Sequence, residues 1–209
     1  MSALGADVLA AAAAVRAEAG RSTGWADLAA RALGCAACPE LAAARTHVVV
    51  GSAPPGARVL LLGEAPGAQE DASGEAFVGR AGQLLDALLG EAGLPRAEVA
   101  VVNVLKCRPP ANRAPSRAEA ARCRGWLDRQ LELVAPAVVV ALGASATGAL
   151  LGRVASLAAA RAASPHALDG RLVLATYHPS AALRFGPRGL PRAALVEDLA
   201  RARDLAAGS

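Results

Sequence analysis

Aromatic side chains are scarce in this 209-residue chain, which has two tryptophans, two phenylalanines and one tyrosine. The core therefore rests on Ala, Leu and Val, and each aromatic residue is a candidate either for packing in that core or for stacking against a ligand. Lysine is scarcer still, since Lys106 is the only one and arginine carries nearly all of the positive charge. The formal net charge of +4 mildly favours a polyanionic partner.

A basic leader and a long apolar segment are also missing. The alanine-rich stretch near the N-terminus lies between Asp7 and Arg16 and is too short to cross a bilayer. The sequence therefore predicts a cytoplasmic protein with no membrane association. A reducing cytosol also disfavours disulfide bonds.

The chain has four cysteines and no others, and they are unevenly placed. Cys35 and Cys38 are three positions apart, Cys107 lies far downstream, and Cys123 follows it after a loop rich in arginine and proline. Two thiolates held close by a short turn can bind one soft metal centre, and two more brought in by folding complete a shell of four sulfurs. The spacing predicts a metal cofactor. It leaves zinc and iron–sulfur both open, with paired disulfides as a further alternative.

Short apolar runs alternate with helical segments along the chain. The runs predict strands at 58–62, 99–104, 137–142 and 172–176. The helical segments are 4–19, 24–33, 79–93, a helix that begins at the capping box of Ser116 and Glu119, 145–151 and 191–205. This alternation predicts an α/β fold, a three-layer α/β/α sandwich with a short, mainly parallel four-stranded central sheet. Residues 153–170 show no pattern that identifies an element.

The length suits one compact domain with an N-terminal addition. Residues 1–34 are interpreted as a helical appendage, and residues 35–209 as a single domain that begins at the first cysteine pair. No internal repeat interrupts this organisation.

Polar residues follow three of the predicted strands at the point where each strand ends. Glu64 comes directly after the first strand, Asn103 ends the second, and His178 follows the fourth. In parallel sheets, ligands bind beyond the carboxyl ends of the strands. The sequence therefore predicts one crevice that contains Glu64, Asn103 and His178.

Each of these residues also has an ordinary structural explanation. Glu64 could belong to a tight connection, Asn103 could form a turn, His178 could be a hydrogen-bonded structural histidine, and Phe77 could be a core residue. Their joint placement beside a four-cysteine site favours function over these separate explanations.

Five segments carry a resemblance to a known family. They are GEAPGAQED at 63–71, GEAFVGRAG at 74–82, NVLKCRPPANR at 103–113, ALGA at 141–144 and YHPS at 177–180. In this order they resemble the family 4 uracil-DNA glycosylases, the iron–sulfur type, over nearly the whole chain from Cys35 to Leu205. The resemblance implies an α/β/α sandwich, and it implies hydrolysis of the bond between uracil and deoxyribose in DNA, as in base excision repair. It also implies a [4Fe–4S] cluster on Cys35, Cys38, Cys107 and Cys123.

The resemblance further implies roles for individual residues. Glu64 and His178 are expected at the chemistry, with Phe77 stacking on the base and Asn103 reading its polar edge. The uracil-binding set implied by the first motif is Ala65, Pro66, Gly67, Glu70 and Asp71. Two of these, Glu70 and Asp71, are also the reserve candidates for the catalytic carboxylate. The chain departs from the family at Ala76, where proline is usual, which leaves the rigidity of the Phe77 loop open.

Contacts with DNA are expected from two segments. The loop between Cys107 and Cys123 would hold Arg108, Arg113, Arg117 and Arg122 against a phosphate backbone, and such contacts position DNA without reading its sequence. After His178, Leu183 or Phe185 is a candidate for filling the gap left by a flipped base, and Arg184 is a candidate for contacting DNA. The expected substrate is uracil-containing DNA, single- or double-stranded, bound by a monomer.

Two other classes of protein fit part of the pattern. One is a non-catalytic nucleic-acid-binding module in which zinc on the four cysteines holds the fold together. The other is an electron-transfer iron–sulfur protein, although that class leaves the polar crevice without a role.

Overall fold

The computed structural model describes residues 4–152 and 154–208. Its strands are β1 (Val59–Gly63), β2 (Val99–Asn103), β3 (Val138–Leu142), β4 (His166–Leu168) and β5 (Arg171–Thr176). They form one sheet in the order β2-β1-β3-β5-β4, in which only the pairing of β4 with β5 is antiparallel among the described strands. The residues of β1, β2 and β3 are all buried, as expected for strands covered on both faces.

The predicted α/β/α sandwich is confirmed, but the predicted number of strands is wrong, because the sheet has five strands and not four. The additional strand, β4, lies inside 153–170 and pairs with β5 through His166 and Val173. It is three residues long, and none of them is fully buried. Such a short edge strand has neither the apolar run nor the alternation by which a strand is identified in a sequence.

Helices cover both faces of this sheet. In the described residues they are α1 (Ala6–Gly20), α2 (Trp25–Leu33), α3 (Pro39–Ala44), α4 (Ala68–Ser73), α5 (Arg80–Glu91), α6 (Arg117–Val134), α7 (Gly143–Leu151), α8 (Leu157–Ala162), α9 (Pro179–Phe185) and α10 (Leu190–Ala207). The predicted capping box is present at the start of α6, where the Ser116 hydroxyl accepts from the Glu119 N–H and the Glu119 carboxylate accepts from the Ser116 N–H.

The two faces of the sheet contribute to two apolar clusters, because side chains alternate along each strand. Leu61, Val101 and Val140 pack with leucines of α5 and α10 on one face. On the other face, Leu60, Val102 and Val139 pack with α6 and α7. The sheet is thereby a rigid scaffold for the loops that follow its strands.

A third apolar cluster lies outside the sheet, where α1, α2 and α3 pack beside α6. It includes Val15, Leu28, Leu41, Leu105, Trp126 and the two buried cysteines. The N-terminal helices therefore enclose the cysteine region. None of the helices in the described part of the chain has both the length and the apolar character needed to cross a membrane.

Candidate active site

Polar residues meet at the carboxyl edge of the parallel strands. The register pairs Gly63 with Asn103 at the ends of β1 and β2. A cleft of about 210 Å³ opens at the same edge of the sheet, beyond the ends of β1, β3 and β5. Among the residues that line it are Glu64, Ala65, Gly143, Ser145, His178 and Ser180. The structure thus brings Glu64 and His178 into one cleft, with Asn103 at the end of the neighbouring strand.

Gly63 allows Asn103 and Phe77 to approach each other at the end of β1. A Cβ atom at this position would collide with Asn103 Oδ1 and would lie 2.5 Å from Phe77 Cζ, so a larger residue does not fit. The Asn103 side chain is buried, and its Oδ1 atom accepts no hydrogen bond within the described residues. Such an acceptor costs about 1–3 kcal/mol unless a partner satisfies it. A ligand donor would be such a partner.

Phe77 lies at this edge in a strained backbone conformation. Its φ of 57° falls in the left-handed region, which residues other than glycine rarely adopt and which often marks functional sites. The centroid of its ring lies 6.0 Å from that of His178, with an angle of 33° between the planes. The rings of Phe77 and His178 therefore lie next to each other at this edge of the sheet.

Arg96 holds the Phe77 loop and was not identified from the sequence. Its guanidinium donates hydrogen bonds to the carbonyl oxygens of Ala76 at 2.7 Å and Phe77 at 3.4 Å, and it pairs with Asp86 at 2.9 Å. These contacts supply rigidity at Ala76, the position where the related family usually has proline. Arg96 lies about twenty positions beyond the loop, in a 3₁₀ turn before β2, and no motif surrounds it.

The ring of His178 is oriented by the start of α9. Its Nδ1 accepts a hydrogen bond from the Ser180 N–H at 3.2 Å and lies 2.9 Å from the Ser180 hydroxyl. Because a ring nitrogen that accepts a backbone N–H carries no proton, the neutral ring carries its proton on Nε2. Burial lowers the pKa of His178, although the carboxylates of Glu64 and Glu70 oppose this shift. His178 is therefore a neutral Nε2–H donor near pH 7.

Glu64 is hydrogen-bonded through both its side chain and its backbone. The Ser145 hydroxyl, in the first turn of α7, donates a hydrogen bond to Glu64 Oε2. The Glu64 carbonyl oxygen accepts from the Leu105 N–H at 3.0 Å. Ser145 was not identified from the sequence, because its contact with Glu64 depends on the pairing of β1 with β3.

Glu70 organises the loop that follows Glu64. Its carboxylate accepts hydrogen bonds from the N–H groups of Gly67 at 3.1 Å and Gly79 at 2.7 Å. The loop between these glycines includes Phe77. Pro66 is buried and Ala65 is half-buried at the cleft. Glu70 thus joins the two ends of the segment that presents Phe77.

Asp71 is buried and bonded to another segment. Its carboxylate accepts from the N–H of Thr46 at 2.9 and 3.0 Å and from the N–H of His47 at 3.3 Å. Both Glu70 and Asp71 therefore bind backbone in this structure, and their roles toward uracil remain predictions.

All four cysteines line one pocket beside the sheet. Cys35 and Cys38 lie between α2 and α3, Cys107 lies in the loop after β2, and Cys123 is on α6; none forms a disulfide. Burial raises the pKa of Cys38 to about 11 and that of Cys123 to about 12, and it also raises the pKa of Cys107. Ionisation of these thiols therefore needs a compensating cation.

Hydrogen-bond donors surround the same pocket. Arg45 Nη1 donates to Cys107 Sγ at 3.1 Å. Trp126 Nε1 and Arg122 Nε are buried, and neither has a hydrogen-bond partner within the described residues. Across those residues, no group of three or more His, Cys, Asp or Glu side chains has the arrangement of a metal-ion site. The pocket thus combines four thiols with donors that an electron-rich group would satisfy.

The arginines between Cys107 and Cys123 differ in their contacts. Arg113 makes a two-pronged ion pair with the buried Glu119 at 2.7 and 2.9 Å, which lowers the pKa of Glu119 to about 2, and it also lies 3.2 Å from Glu40. Arg108 donates to Asn112 at 2.8 Å. Arg117 is exposed, and it has no ion pair within the described residues. Of the three, Arg117 is the most available to an external phosphate.

Apolar residues are exposed on α9, directly after His178. Leu183 is 40% exposed and Phe185 is 66% exposed, and Arg184 lies between them on the surface. Large apolar side chains so close to a polar cleft have the chemistry of a wedge between stacked bases.

Comparison with known proteins matches most of the chain to one family. A family model described as the uracil DNA glycosylase superfamily matches residues 50–200. The chain is 44% identical over 170 residues to the type-4 uracil-DNA glycosylase of Thermotoga maritima, covering 81% of this chain and 88% of that protein. It is 39% identical to the type-4 enzyme of Sulfurisphaera tokodaii, covering 78% and 76%. It is also 34% identical to a type-5 uracil-DNA glycosylase of Thermus thermophilus, covering 70% and 82%.

Proposed function

The chain belongs to the uracil DNA glycosylase superfamily, and from this premise we propose that it hydrolyses the N-glycosidic bond of uracil in DNA and leaves an abasic site. The observation that carries the proposal is the buried Asn103 amide, whose Oδ1 accepts no hydrogen bond from the described part of the chain and lies beside Phe77. A base that is read in this way has to leave the duplex stack and enter the cleft.

Asn103 provides the selection for uracil over cytosine. Uracil presents an N–H donor at position 3 and an acceptor oxygen at position 4, whereas cytosine presents an acceptor and an amine donor. The amide oxygen of Asn103 accepts from the first of these groups, and its NH₂ donates to the second. Because a mismatched amide would be left unpaired, discrimination is about 1–3 kcal/mol for each group. Phe77 supplies the flat apolar surface against which the base stacks.

His178 stabilises the leaving base. When the glycosidic C–N bond breaks, both of its electrons go to uracil, and much of the negative charge resides on the oxygen at position 2. The neutral His178 ring donates its Nε2–H to this oxygen, while Ser180 keeps the ring in the required tautomer. This interaction strengthens as charge develops, so it lowers the barrier to cleavage.

Glu64 acts at the sugar. Its carboxylate, fixed by Ser145, offsets the positive charge that develops on deoxyribose and orients the water whose oxygen forms the new bond to the anomeric carbon. One proton of that water is released, and the uracil anion takes up one proton, so the reaction is a balanced hydrolysis.

DNA contacts extend outward from the cleft. Arg117 binds phosphate without regard to sequence, with Arg108 and Arg113 as weaker contributors because they are engaged within the protein. Leu183 enters the space left by the flipped nucleotide, and Arg184 contacts the adjacent backbone. The protein acts as a monomer on single- or double-stranded DNA, and α1 and α2, which belong to the appendage, pack beside the cysteine region.

Cys35, Cys38, Cys107 and Cys123 would hold a [4Fe–4S] cluster in the cysteine pocket. Support comes from the four thiols on one pocket and from the Trp126 and Arg122 donors there, which are matched to electron-rich sulfur. When bound, the cluster would crosslink the N-terminal helices, the Cys107 loop and α6.

An oligonucleotide assay tests the proposed function. Purified protein is incubated with a duplex that contains one uracil and is then treated with alkali, which cuts DNA only where a base is missing. Cleavage at uracil and none in a matched cytosine duplex is expected, together with brown protein that contains iron. Colourless, zinc-containing protein that binds DNA but leaves uracil in place would establish the non-catalytic binding module instead.

A further inference from the structure

Lys106 lies between the base-reading residue and the cysteine pocket. It is the only lysine in the chain, it is 2% exposed, and it lines the pocket together with all four cysteines. An ammonium group is among the most unfavourable groups to bury, and an apolar residue of similar volume would fill the same space without that penalty. The buried charge therefore needs a reason beyond packing.

Lys106 makes contacts through both its side chain and its backbone. Its Nζ atom donates a hydrogen bond to the backbone carbonyl oxygen of Asn103. Its backbone carbonyl oxygen accepts from the Val49 N–H at 2.7 Å, and Lys106 directly precedes Cys107 in the chain. One residue thus joins the base-reading residue to the segment that carries Cys107.

The contact with Asn103 fixes a peptide plane. The carbonyl group that Lys106 holds belongs to the peptide between Asn103 and Val104, and the Val104 N–H is held by Gly63 at 2.9 Å. With both ends of this peptide bonded, the backbone of Asn103 has little freedom to rotate. The orientation of its side chain, whose Oδ1 accepts no hydrogen bond from the residues described, then depends on this backbone.

We propose that Lys106 is a positioning residue that orients Asn103 for reading uracil and that fixes this orientation to the four-cysteine site. Lys106 does not contact the base. It acts through the Asn103 carbonyl group, and its backbone anchors this contact to the segment that leads into Cys107. The inference rests on the proposed role of Asn103 in uracil recognition.

The test is a double-mutant cycle read by two measurements. Lys106→Met removes the ammonium group and keeps most of the side-chain length. In protein with normal iron content, it should weaken binding of free uracil, measured by calorimetry, and slow single-turnover excision by about tenfold or more. In an Asn103→Ala background, the same substitution should change neither quantity appreciably, because the residue that Lys106 positions is gone.

Gln130→Leu is the matched control. Gln130 is buried, and its amide donates to the Val50 carbonyl at 2.7 Å, so this variant also removes a buried side-chain donor to backbone, but one that binds Val50 and not Asn103. Its uracil binding and excision rate should stay at the wild-type values. An equal effect of Lys106→Met in both Asn103 backgrounds, or no effect in either, would overturn the inference. If Asn103→Ala alone left excision intact, the assignment of Asn103 would fail instead.

A measurement on the wild-type chain gives an independent test, which decides the matter if Lys106→Met loses iron. Protein labelled with [ε-¹³C]lysine has one such carbon, at Lys106. Titration with uracil should shift this single resonance, whereas cytosine at the same concentration should not. A resonance that stays unchanged at saturating uracil would show that base binding is not coupled to Lys106, and it would overturn the inference.

Discussion

The cleft and the cysteine pocket differ in the kind of buried polar atom that each leaves without a hydrogen-bond partner. Among the residues that the structure describes, the unpartnered buried atom beside the cleft is an acceptor, Asn103 Oδ1, whereas those at the cysteine pocket are donors, Trp126 Nε1 and Arg122 Nε. An unsatisfied buried acceptor can be satisfied by a ligand that donates, such as the N–H of a base. Unsatisfied buried donors can be satisfied by electron-rich sulfur. The unsatisfied atoms thus distinguish a substrate site from a cofactor site.

The two regions also differ in what holds them together. The cleft follows the ends of fully buried strands, so the sheet maintains its shape. The cysteine pocket gathers the α2–α3 connection, the loop after β2 and α6, which lie outside the sheet and are joined mainly by the third apolar cluster. Loss of one cluster-binding cysteine should therefore disrupt the cysteine region much more than the cleft.

The largest expected effect comes from removing one cysteine. Cys107→Ala should lose the cluster and most of the soluble protein, because three thiolates cannot complete the shell and the loop after β2 loses its anchor. Iron content and yield of soluble protein measure the effect. A Cys107→Ala protein with full iron content and normal activity would disprove the ligand assignment.

Removal of a catalytic group should leave the fold intact and slow the chemistry. His178→Ala and Glu64→Gln should each lower the single-turnover excision rate by roughly 10–1000-fold, while affinity for DNA changes little, since the lost interactions strengthen mainly in the transition state. Cluster absorbance and thermal melting should match those of the wild type. If both variants cleaved at the full rate, Glu70 and Asp71 would be the next groups to examine.

A smaller effect is expected from loosening the loop that presents Phe77, the residue proposed to stack on the base. Arg96→Ala removes the hydrogen bonds to the Ala76 and Phe77 carbonyls, so the strained Phe77 loop should relax and excision should slow by about tenfold. The matched control is Asp86→Ala, which removes only the exposed ion partner of Arg96 and should keep the wild-type rate. Equal rates for Arg96→Ala and wild type would show that the loop is rigid without this residue.

The smallest effect separates two arginines of the same loop. Arg117→Ala should weaken binding to any DNA sequence and reduce the dependence of log affinity on log salt by about one unit, as expected for one lost phosphate contact. Arg113→Ala should instead lower the melting temperature, because Glu119 would remain buried without its ion partner. A salt dependence unchanged by Arg117→Ala would place the phosphate contacts elsewhere on the protein.

The sequence predicts those parts of the molecule that depend on local pattern. Long buried strands and the residues at their ends are recognisable because burial imposes apolar runs and because parallel strands end at one edge. The edge strand β4 is too short to show a pattern. The supports of the site depend on tertiary contact: Arg96 reaches the Phe77 loop from a distant turn, and Ser145 reaches Glu64 only through the pairing of β1 with β3. Their residue types carry no local signal of those contacts.

The most direct test concerns the Asn103 amide. Single-turnover excision is measured for wild type and Asn103→Asp on duplexes that differ only in carrying uracil or cytosine. The wild type should release uracil and leave cytosine, and Asn103→Asp should lose most of its uracil activity, because a carboxylate repels the oxygen at position 4 to which the amide donates. An Asn103→Asp protein with the wild-type iron content and the full uracil rate would contradict the account.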